Sequence, residues 1–484
     1  MRSNPPRREL EPNDEGPAVR PTAVSKGVLI VSSHFPPGRS AGVHRILRIV
    51  KQLRAAAWPV AVLTIDPRYY RDDASIDADL LDRIPAGSEV CRTRVLRGLT
   101  TAARWRRQLR QVFRRRIHRR SDKPIPDAPL AAASRARPKR PLVDTEIGWL
   151  LPAIRGGSAV VARQRPEIIF SSAPPFTCHL IAGWLAWRHH LRWVADFRDP
   201  WARSPWKRAE LKDGWKGRFR QWLERRVIER ADVVILNTPF LRDEFVAYYG
   251  ARLAQKFHTV TNGYDADVLT PYLHAARRRS SRLMLTHAGS LYRQRDPRPL
   301  VRAVASAIAK GRIAADSIDL NFVGAVSPQF QLAETIAELN VGSAVRMTPP
   351  VTHERSLQYL AESDVLVAIQ PGTGVQVPVK LYEYLPFQKP ILALAPSGAL
   401  STIIEDGGLG LVVSPDDPDA IENALCDLWA HRDRLAERFH ADAAYIAQFD
   451  GAVVSRKLQG IFETLSVGRQ EAWTPSQDEM VEER

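Results

Sequence analysis

The sequence predicts an α/β protein built as two consecutive, doubly wound parallel-sheet domains that face each other across a cleft. Three observations carry that expectation. Short apolar runs of strand length recur through the chain, helical apolar spacing fills the gaps between many of them, and the series breaks once at a polar, Arg-rich join, TPYLHAARRRS, at 270–280. A length of 484 residues gives each half roughly 200 residues, enough for a full hydrophobic core.

Residues 1–26 are rich in Pro, Arg and Glu without periodicity and read as a disordered tail. The run VLIV (28–31) then gives a strand, HFPPGRSAG (34–42) a loop, and Val43, Ile46, Leu47, Val50 and Leu53 a helix by their spacing. VAVLTI (60–65) completes the unit. After a basic insertion at 92–141 the alternation resumes with EIIFSS (167–172), RWVAD (192–196), DVVIL (232–236) and FHTV (257–260), with helical patterns near 177–190, 215–230 and 239–248. These segments make the first domain, 27–270. The second, 271–466, offers LMLTHA (283–288), IDLNFV (318–323), AVRM (344–347), DVLVAI (364–369), PILAL (390–394) and LGLVV (409–413). From residue 467 the chain turns polar and acidic, a second expected tail. In open sheets of this kind ligands bind beyond the carboxyl ends of the strands, which places the site in the interdomain cleft.

Composition removes several function classes. Hydrophobic residues at 44% and 12 tryptophans describe a folded protein. No run of about 18 apolar residues and no apolar stretch behind the first methionine is present, so neither a spanning helix nor a secretory signal is expected, and the protein is expected to be cytoplasmic. Cys91, Cys178 and Cys426 lack metal-ligand spacing, which argues against a zinc site or a disulfide framework. The net charge of +17 is local: residues 92–140 hold 17 Arg or Lys against Asp122 and Asp127, leaving the rest near neutral. No nucleic-acid partner is therefore expected. A G-x-G-x-x-G fingerprint is missing from the first loop, which speaks against an NAD enzyme.

Three segments carry candidate chemistry. In PVKLYEYLPFQKPILALAP (378–396), Pro378 suits a first helical position, and Lys380 in the first turn runs against the helix dipole unless an anion such as a diphosphate offsets it. Glu383, one turn on, can accept hydrogen bonds from two ribose hydroxyls; an ordinary i,i+3 pair with Lys380 is the competing reading. ADFRDPW (195–201) follows a strand and brings Asp196, Arg198 and Asp199 to the cleft edge. There they either clamp one another and fix a loop, or present a carboxylate that orients an acceptor hydroxyl and takes its proton. In the loop 34–45, Gly38 and Gly42 permit close approach of a ligand to backbone, or serve a turn.

Together with SSAPPF (171–176), TNGYD (261–265) and HAGSLYRQRDPRPLVRA (287–303), these segments resemble the GT-B glycosyltransferases, specifically the family 4-like retaining enzymes of bacterial polysaccharide assembly, over about residues 27 to 466. The resemblance implies a nucleoside diphosphate sugar as co-substrate on the second domain, a glycan acceptor on the first, retention of configuration, and no metal or other cofactor. Positive side chains would stabilise the departing diphosphate. Carried over by position, Glu383 matches the ribose-binding glutamate, while the first glutamate of that pair falls at Val375. Gly289 and Arg295 match the glycine and lysine of the diphosphate clamp; Ser290 replaces its arginine, with Arg293 or Lys380 to supply the charge. Gly38, Gly42, His44, Arg45 and Arg198 fall on the acceptor side, and Asp199 or Asp196 takes the catalytic role, with Arg198 where a histidine is usual. Asn262, Gly263 and Asp265 match an interdomain turn that a positive-φ glycine explains equally well. The D-x-D spellings at 77/79 and 265/267 are not read as metal ligands. A nucleotide-sugar 2-epimerase and a non-catalytic scaffold are the rivals.

Residues 92–120 contain 12 arginines and no acid, with Trp105, Leu109, Val112, Phe113 and Ile117 on one side of a helical wheel. A basic amphipathic helix suits an anionic membrane surface. The expectation is a peripheral enzyme on the inner face of the cell membrane acting on a lipid-linked acceptor; a solvated insertion and a nucleic-acid contact are the alternatives.

Overall fold

The computed structural model describes residues 27–70, 76–96, 142–202, 214–273 and 281–471. Nearly all of the expected basic helix, and both expected tails except residues 467–471, lie outside the described residues. The chain forms two wholly parallel sheets. The first contains β1 (Val28–Val31), β2 (Val60–Ile65), β3 (Glu89–Thr93), β4 (Ile168–Ala173), β5 (Arg192–Phe197), β6 (Val233–Leu236) and β7 (Phe257–Thr259), in the order β3-β2-β1-β4-β5-β6-β7. The second contains β8 (Leu283–Ala288), β9 (Ile318–Val323), β10 (Val345–Thr348), β11 (Val365–Ile369), β12 (Ile391–Leu394) and β13 (Gly410–Val413), in the order β10-β9-β8-β11-β12-β13.

Helices cover both faces of each sheet, which is why most central strands read as continuous apolar runs rather than alternating ones. On one face of the first sheet, α2 (Leu150–Gln164), α3 (Thr177–His189), α4 (Trp215–Arg230) and α5 (Pro239–Tyr249) share one core with Trp149, Trp193 and Phe197. On the other face lies α1 (Ala41–Ala55), whose apolar stripe Val43, Ile46, Leu47, Val50 and Leu53 is buried as its spacing predicts.

Three features depart from the expectation. The edge strand β3 was not legible, because its five residues are only half buried and pair with β2 alone. The final helix α9 (Gly451–Glu471) belongs to the core of the first domain, not the second: Val454, Leu458 and Phe462 pack beside α1, and Phe462 lies edge-on to Phe170 at 5.8 Å. That helix also continues to Glu471, past the residue 467 at which a tail was expected. In the second domain α6 (Arg298–Ala309) packs on one face of the sheet, and α7 (His353–Glu362) and the six-residue α8 (Val379–Tyr384) pack on the other.

The strand order reverses direction between β1 and β4 in the first sheet and between β8 and β11 in the second. Loops diverge at such points and leave a crevice at the carboxyl ends of the strands. Both crevices open toward the same cleft.

Candidate active site

The cleft has a volume of about 1100 Å³ and is lined from both domains. Its second-domain wall is built from α8 and four loops: 289–295 after β8, 324–325 after β9, 370–378 after β11, and the turn before α7. Gly289 sits at φ +147°, a value that favours glycine, and a Cβ there would have no neighbour closer than 3.8 Å, from His287 and Lys380. The backbone is thus exposed to the cleft. Arg293 at φ +60° and Arg295 flank the Tyr292 ring at 5.7 and 5.3 Å, and Arg295 Nε donates to Gln370 Oε1 at 3.1 Å. The three expected donor-site cations, Arg293, Arg295 and Lys380, line the cleft together with Gly289 and Glu383.

Lys380 Nζ lies 2.8 Å from Glu383 Oε2, and His353 Nε2 lies 3.5 Å from the same oxygen. The i,i+3 pair and the cleft position therefore both exist. Burial works to raise the Glu383 carboxyl, but Lys380 and His353 outweigh it and hold the value at about 2. Because α8 has only six residues, its macrodipole is a weak anion binder, and Lys380 supplies most of the local positive charge. Val375, at the position of the missing glutamate, points away: its side chain packs against the apolar core of the first domain. Its neighbour Gln376 faces the cleft instead.

On the first-domain wall the expectations divide. His44, Gly42, Arg198 and Asp199 line the cleft. Gly42 is there for space, since a Cβ on it would strike the Arg198 guanidinium. Asp199 accepts a 2.6 Å hydrogen bond from Gln376 Nε2, and Thr238 Oγ1 donates to the Val375 carbonyl at 2.6 Å, so two polar links tie the domains at the site. His44 sits 4.0 Å from Asp265 and its ring lies 6.1 Å from that of His353; burial lowers its pKa against the pull of Asp265 and Glu383.

Asp196, Arg45 and Gly38 do not reach the cleft, which corrects their expected roles. Asp196 is fully buried and Arg45 is 4% exposed. Arg45 Nε and Nη2 grip both carboxylate oxygens of Asp196 at 3.1 and 2.8 Å, and Ser172 Oγ donates to Oδ2 at 2.7 Å. The remaining Arg45 donors reach the Val260 and Thr261 carbonyls and Asn262 Oδ1. Both side chains are spent on a strut that fixes the interdomain join. Gly38 donates its N–H to the Phe35 carbonyl and packs under Tyr70. Gly263 does not adopt positive φ; a Cβ there would meet the Phe449 carbonyl at 2.5 Å, so it admits the returning chain. Asp265 is engaged by Arg48 at 3.4 Å, and Asp77 caps a short helix, so neither D-x-D pair assembles a metal set; among the described residues no group of three or more His, Cys, Asp or Glu does.

Sequence reasoning missed His353, Gln376, Gln370 and His287. None carries a local signal: each reaches the cleft because a β-strand ends beneath it or a turn delivers it from another part of the chain.

Two parallel-sheet domains that face each other across one charged cleft have the GT-B architecture, and comparison with known proteins places the chain among glycosyltransferases. Residues 40–263 match the glycosyl transferase 4-like domain and residues 282–431 the glycosyl transferases group 1 model, together more than half of the chain. The chain belongs to this family of glycosyltransferases. It is 28% identical over 219 residues to a D-inositol 3-phosphate glycosyltransferase of Paenarthrobacter aurescens, covering 44% of this chain and 52% of the relative. A D-inositol 3-phosphate glycosyltransferase of Catenulispora acidiphila is 31% identical over 208 residues, covering 40% and 48%. The chain thus spans about half the length of the curated relatives it matches. Among solved structures, a sucrose-phosphate synthase from Thermosynechococcus elongatus superposes with a TM-score of 0.62 at 16% identity, covering 92% of this chain and all of that one. An Anabaena protein, HepE, solved with UDP and glucose, gives 0.58 at 15% identity over 91% and 99%.

Proposed function

We propose that the protein transfers a sugar, with retention, from a nucleoside diphosphate sugar to a hydroxyl of a lipid-linked glycan in surface polysaccharide assembly. The observation that carries this is the pairing of walls: Lys380, Arg293, Arg295 and the exposed backbone of Gly289 on one side, with Asp199, Arg198 and His44 on the other. Lys380 and Arg295 hold the diphosphate, Glu383 binds the ribose hydroxyls, and the cations stabilise the charge that grows as the bond from the anomeric carbon to the phosphate oxygen breaks. The acceptor hydroxyl forms the new bond on the face the diphosphate leaves. Its proton passes to the departing phosphate oxygen, with Asp199 orienting the hydroxyl. This chemistry needs no metal, because fixed side-chain charges meet the leaving group.

A second observation favours the membrane reading. Trp187 is 69% exposed, Trp215 66%, Leu151 58% and Trp222 51%, all on α2, α3 and α4, which lie side by side on one face of the first sheet. Arg155, Arg188, Lys216, Arg218 and Arg226 stand on the same helices. Tryptophan with flanking cations suits the interface of an anionic bilayer, and the surface would join the 92–120 segment in docking the enzyme on the inner face of the membrane. No helix among the described residues is long and apolar enough to cross a membrane.

The test is thermal stabilisation of the full chain by UDP-, GDP-, ADP- and dTDP-sugars, repeated with Glu383→Ala and Lys380→Ala. Binding to the folded state raises Tm by mass action. A shift with one nucleotide class, lost in both variants, is expected; a folded protein stabilised by none of them sinks the donor-site assignment.

A further inference from the structure

His287 ends β8 beneath the donor wall with half of its imidazole unused. Nδ1 lies 2.9 Å from the Val367 carbonyl. A carbonyl only accepts, so Nδ1 carries the proton, and in the neutral ring Nε2 is a bare lone pair. That nitrogen is buried without a hydrogen-bond partner among the described residues, and it sits 3.8 Å from where a Cβ on Gly289 would be. The residue is 7% exposed and lines the cleft. An orphaned, buried polar atom normally has a partner, and here the missing partner has to enter from the cleft.

The surroundings indicate its chemistry. Arg295 from the 289–295 loop and Lys380 from α8 set a positive field at the ring, and Arg293 belongs to the same loop. The acid on α8, Glu383, is engaged by Lys380 and His353. From the remaining packed elements, Tyr384 Oη receives the Ala288 N–H at 3.0 Å, Gln370 is neutral and bonded to Arg295, and Phe322 of β9 packs 6.4 Å from the ring. Burial, reinforced by Arg295 and Lys380, lowers the imidazole to about 4, so it is neutral near pH 7. Phosphoryl oxygens offer lone pairs alone and are repelled by a bare nitrogen.

We infer that His287 is a proton-linked contact for the donor diphosphate: as the diphosphate enters beside Gly289, Nε2 takes one proton from solvent and donates its new N–H to a phosphate oxygen. The two diphosphate charges offset the cost of a buried imidazolium. Its charge then joins those of Lys380 and Arg295 against the leaving group, and the proton returns to solvent when the product diphosphate leaves. This rests on the donor-site reading above.

The experiment is isothermal titration calorimetry of the full chain with the nucleotide sugar that stabilises it, at pH 7 in two buffers of different ionisation enthalpy. The diphosphate diester of a nucleotide sugar has no titrating proton in this range, so uptake reports on the protein. His44 and His353 also face the cleft, and a comparison with His287→Asn, whose amide keeps a donor toward the Val367 carbonyl, isolates the contribution of His287. Uptake approaching one proton is expected in the wild type and lost in the variant. Wild-type affinity should fall by up to tenfold per pH unit between pH 6 and 8, and the variant's should be much flatter. Equal uptake in both proteins overturns the inference. So does binding without uptake, which would assign Nε2 to accepting a sugar hydroxyl. If His287→Asn fails to fold, His287→Gln takes its place under the same criteria. A folded protein that binds no nucleotide sugar overturns the donor-site reading itself, an outcome distinct from binding without uptake.

Discussion

Asp196→Asn separates a strut from a catalytic base more sharply than any other change. Asp196 is fully buried, receives two hydrogen bonds from the 4%-exposed Arg45 at 2.8 and 3.1 Å, and a third from Ser172. Replacing one carboxylate oxygen by an amide preserves volume, so no cavity term enters. It does turn an N–H₂ toward a guanidinium or a hydroxyl, and it leaves the Arg45 charge uncompensated below the surface. Breaking a buried pair in this way costs about 3–5 kcal/mol. At about 2–4 °C per kcal/mol for a domain of this size, Tm should fall by roughly 10 °C. Asp199→Asn is the control: Asp199 lines the cleft, and an asparagine Oδ1 still accepts from Gln376. It should move Tm by less than about 2 °C while lowering kcat by roughly 100-fold, the order expected when a reacting hydroxyl loses the group that orients it. Calorimetric melting and a glycosyl-transfer assay on the two variants decide the matter. If Asp196→Asn melts like the wild type and loses turnover, the strut argument is wrong and the first carboxylate is chemical after all.

Other changes test other parts of the site. Glu383 has a folded-state value of about 2 against an ordinary 4.5, so its contribution of about 3 kcal/mol is fully present above pH 4.5 and drains away as pH falls toward 2. Denaturant unfolding of wild type and Glu383→Gln should therefore differ at pH 6 and converge near pH 2; a difference that persists at pH 2 contradicts the ion-pair origin. Gly42→Ala should displace Arg198 and raise the acceptor KM at least several-fold with the donor Kd unchanged, measured by steady-state kinetics with each substrate varied. Trp187→Asp combined with Trp222→Asp should reduce cosedimentation with vesicles containing anionic lipid while leaving turnover of a water-soluble acceptor intact; undiminished cosedimentation removes that face from the membrane model. Gly263→Ala should lower Tm through its contact with the Phe449 carbonyl, without altering the Tm shift that a nucleotide sugar produces.

Much of the fold was written locally. Buried parallel strands must be nearly continuous apolar runs, so VLIV, EIIFSS and DVLVAI announced themselves, and the strand-to-helix alternation gave the two sheets. Gly289, Arg293 and Arg295 were legible as cleft residues because they follow directly on a strand end, where such sheets bind ligands, and Lys380 and Glu383 because they stand on a short helix behind Pro378. The half-buried edge strand β3 has too little apolar character to be read. The last helix could be assigned to the first domain only once Phe462 was seen against Phe170 and Trp58, since helical periodicity says what face is apolar but not what covers it.

The tertiary structure decided which charged residues face the cleft and which are buried in struts. Asp196 and Asp199 are three positions apart, yet Asp196, near the end of the interior strand β5, is sealed in by Arg45, and Asp199, in the loop that follows, opens into the cleft. Arg45 and His44 are adjacent, and the helix turns them to opposite environments. His287 looks in sequence like the end of an apolar strand; only packing reveals a backbone carbonyl fixing one nitrogen and leaving the other facing Gly289. The sequence determined the two sheets and the glycine and charged residues of the second-domain wall because strand burial and loop position follow from local pattern. Partner identity across 80 or 150 residues does not, and that is what distinguishes a strut from a site.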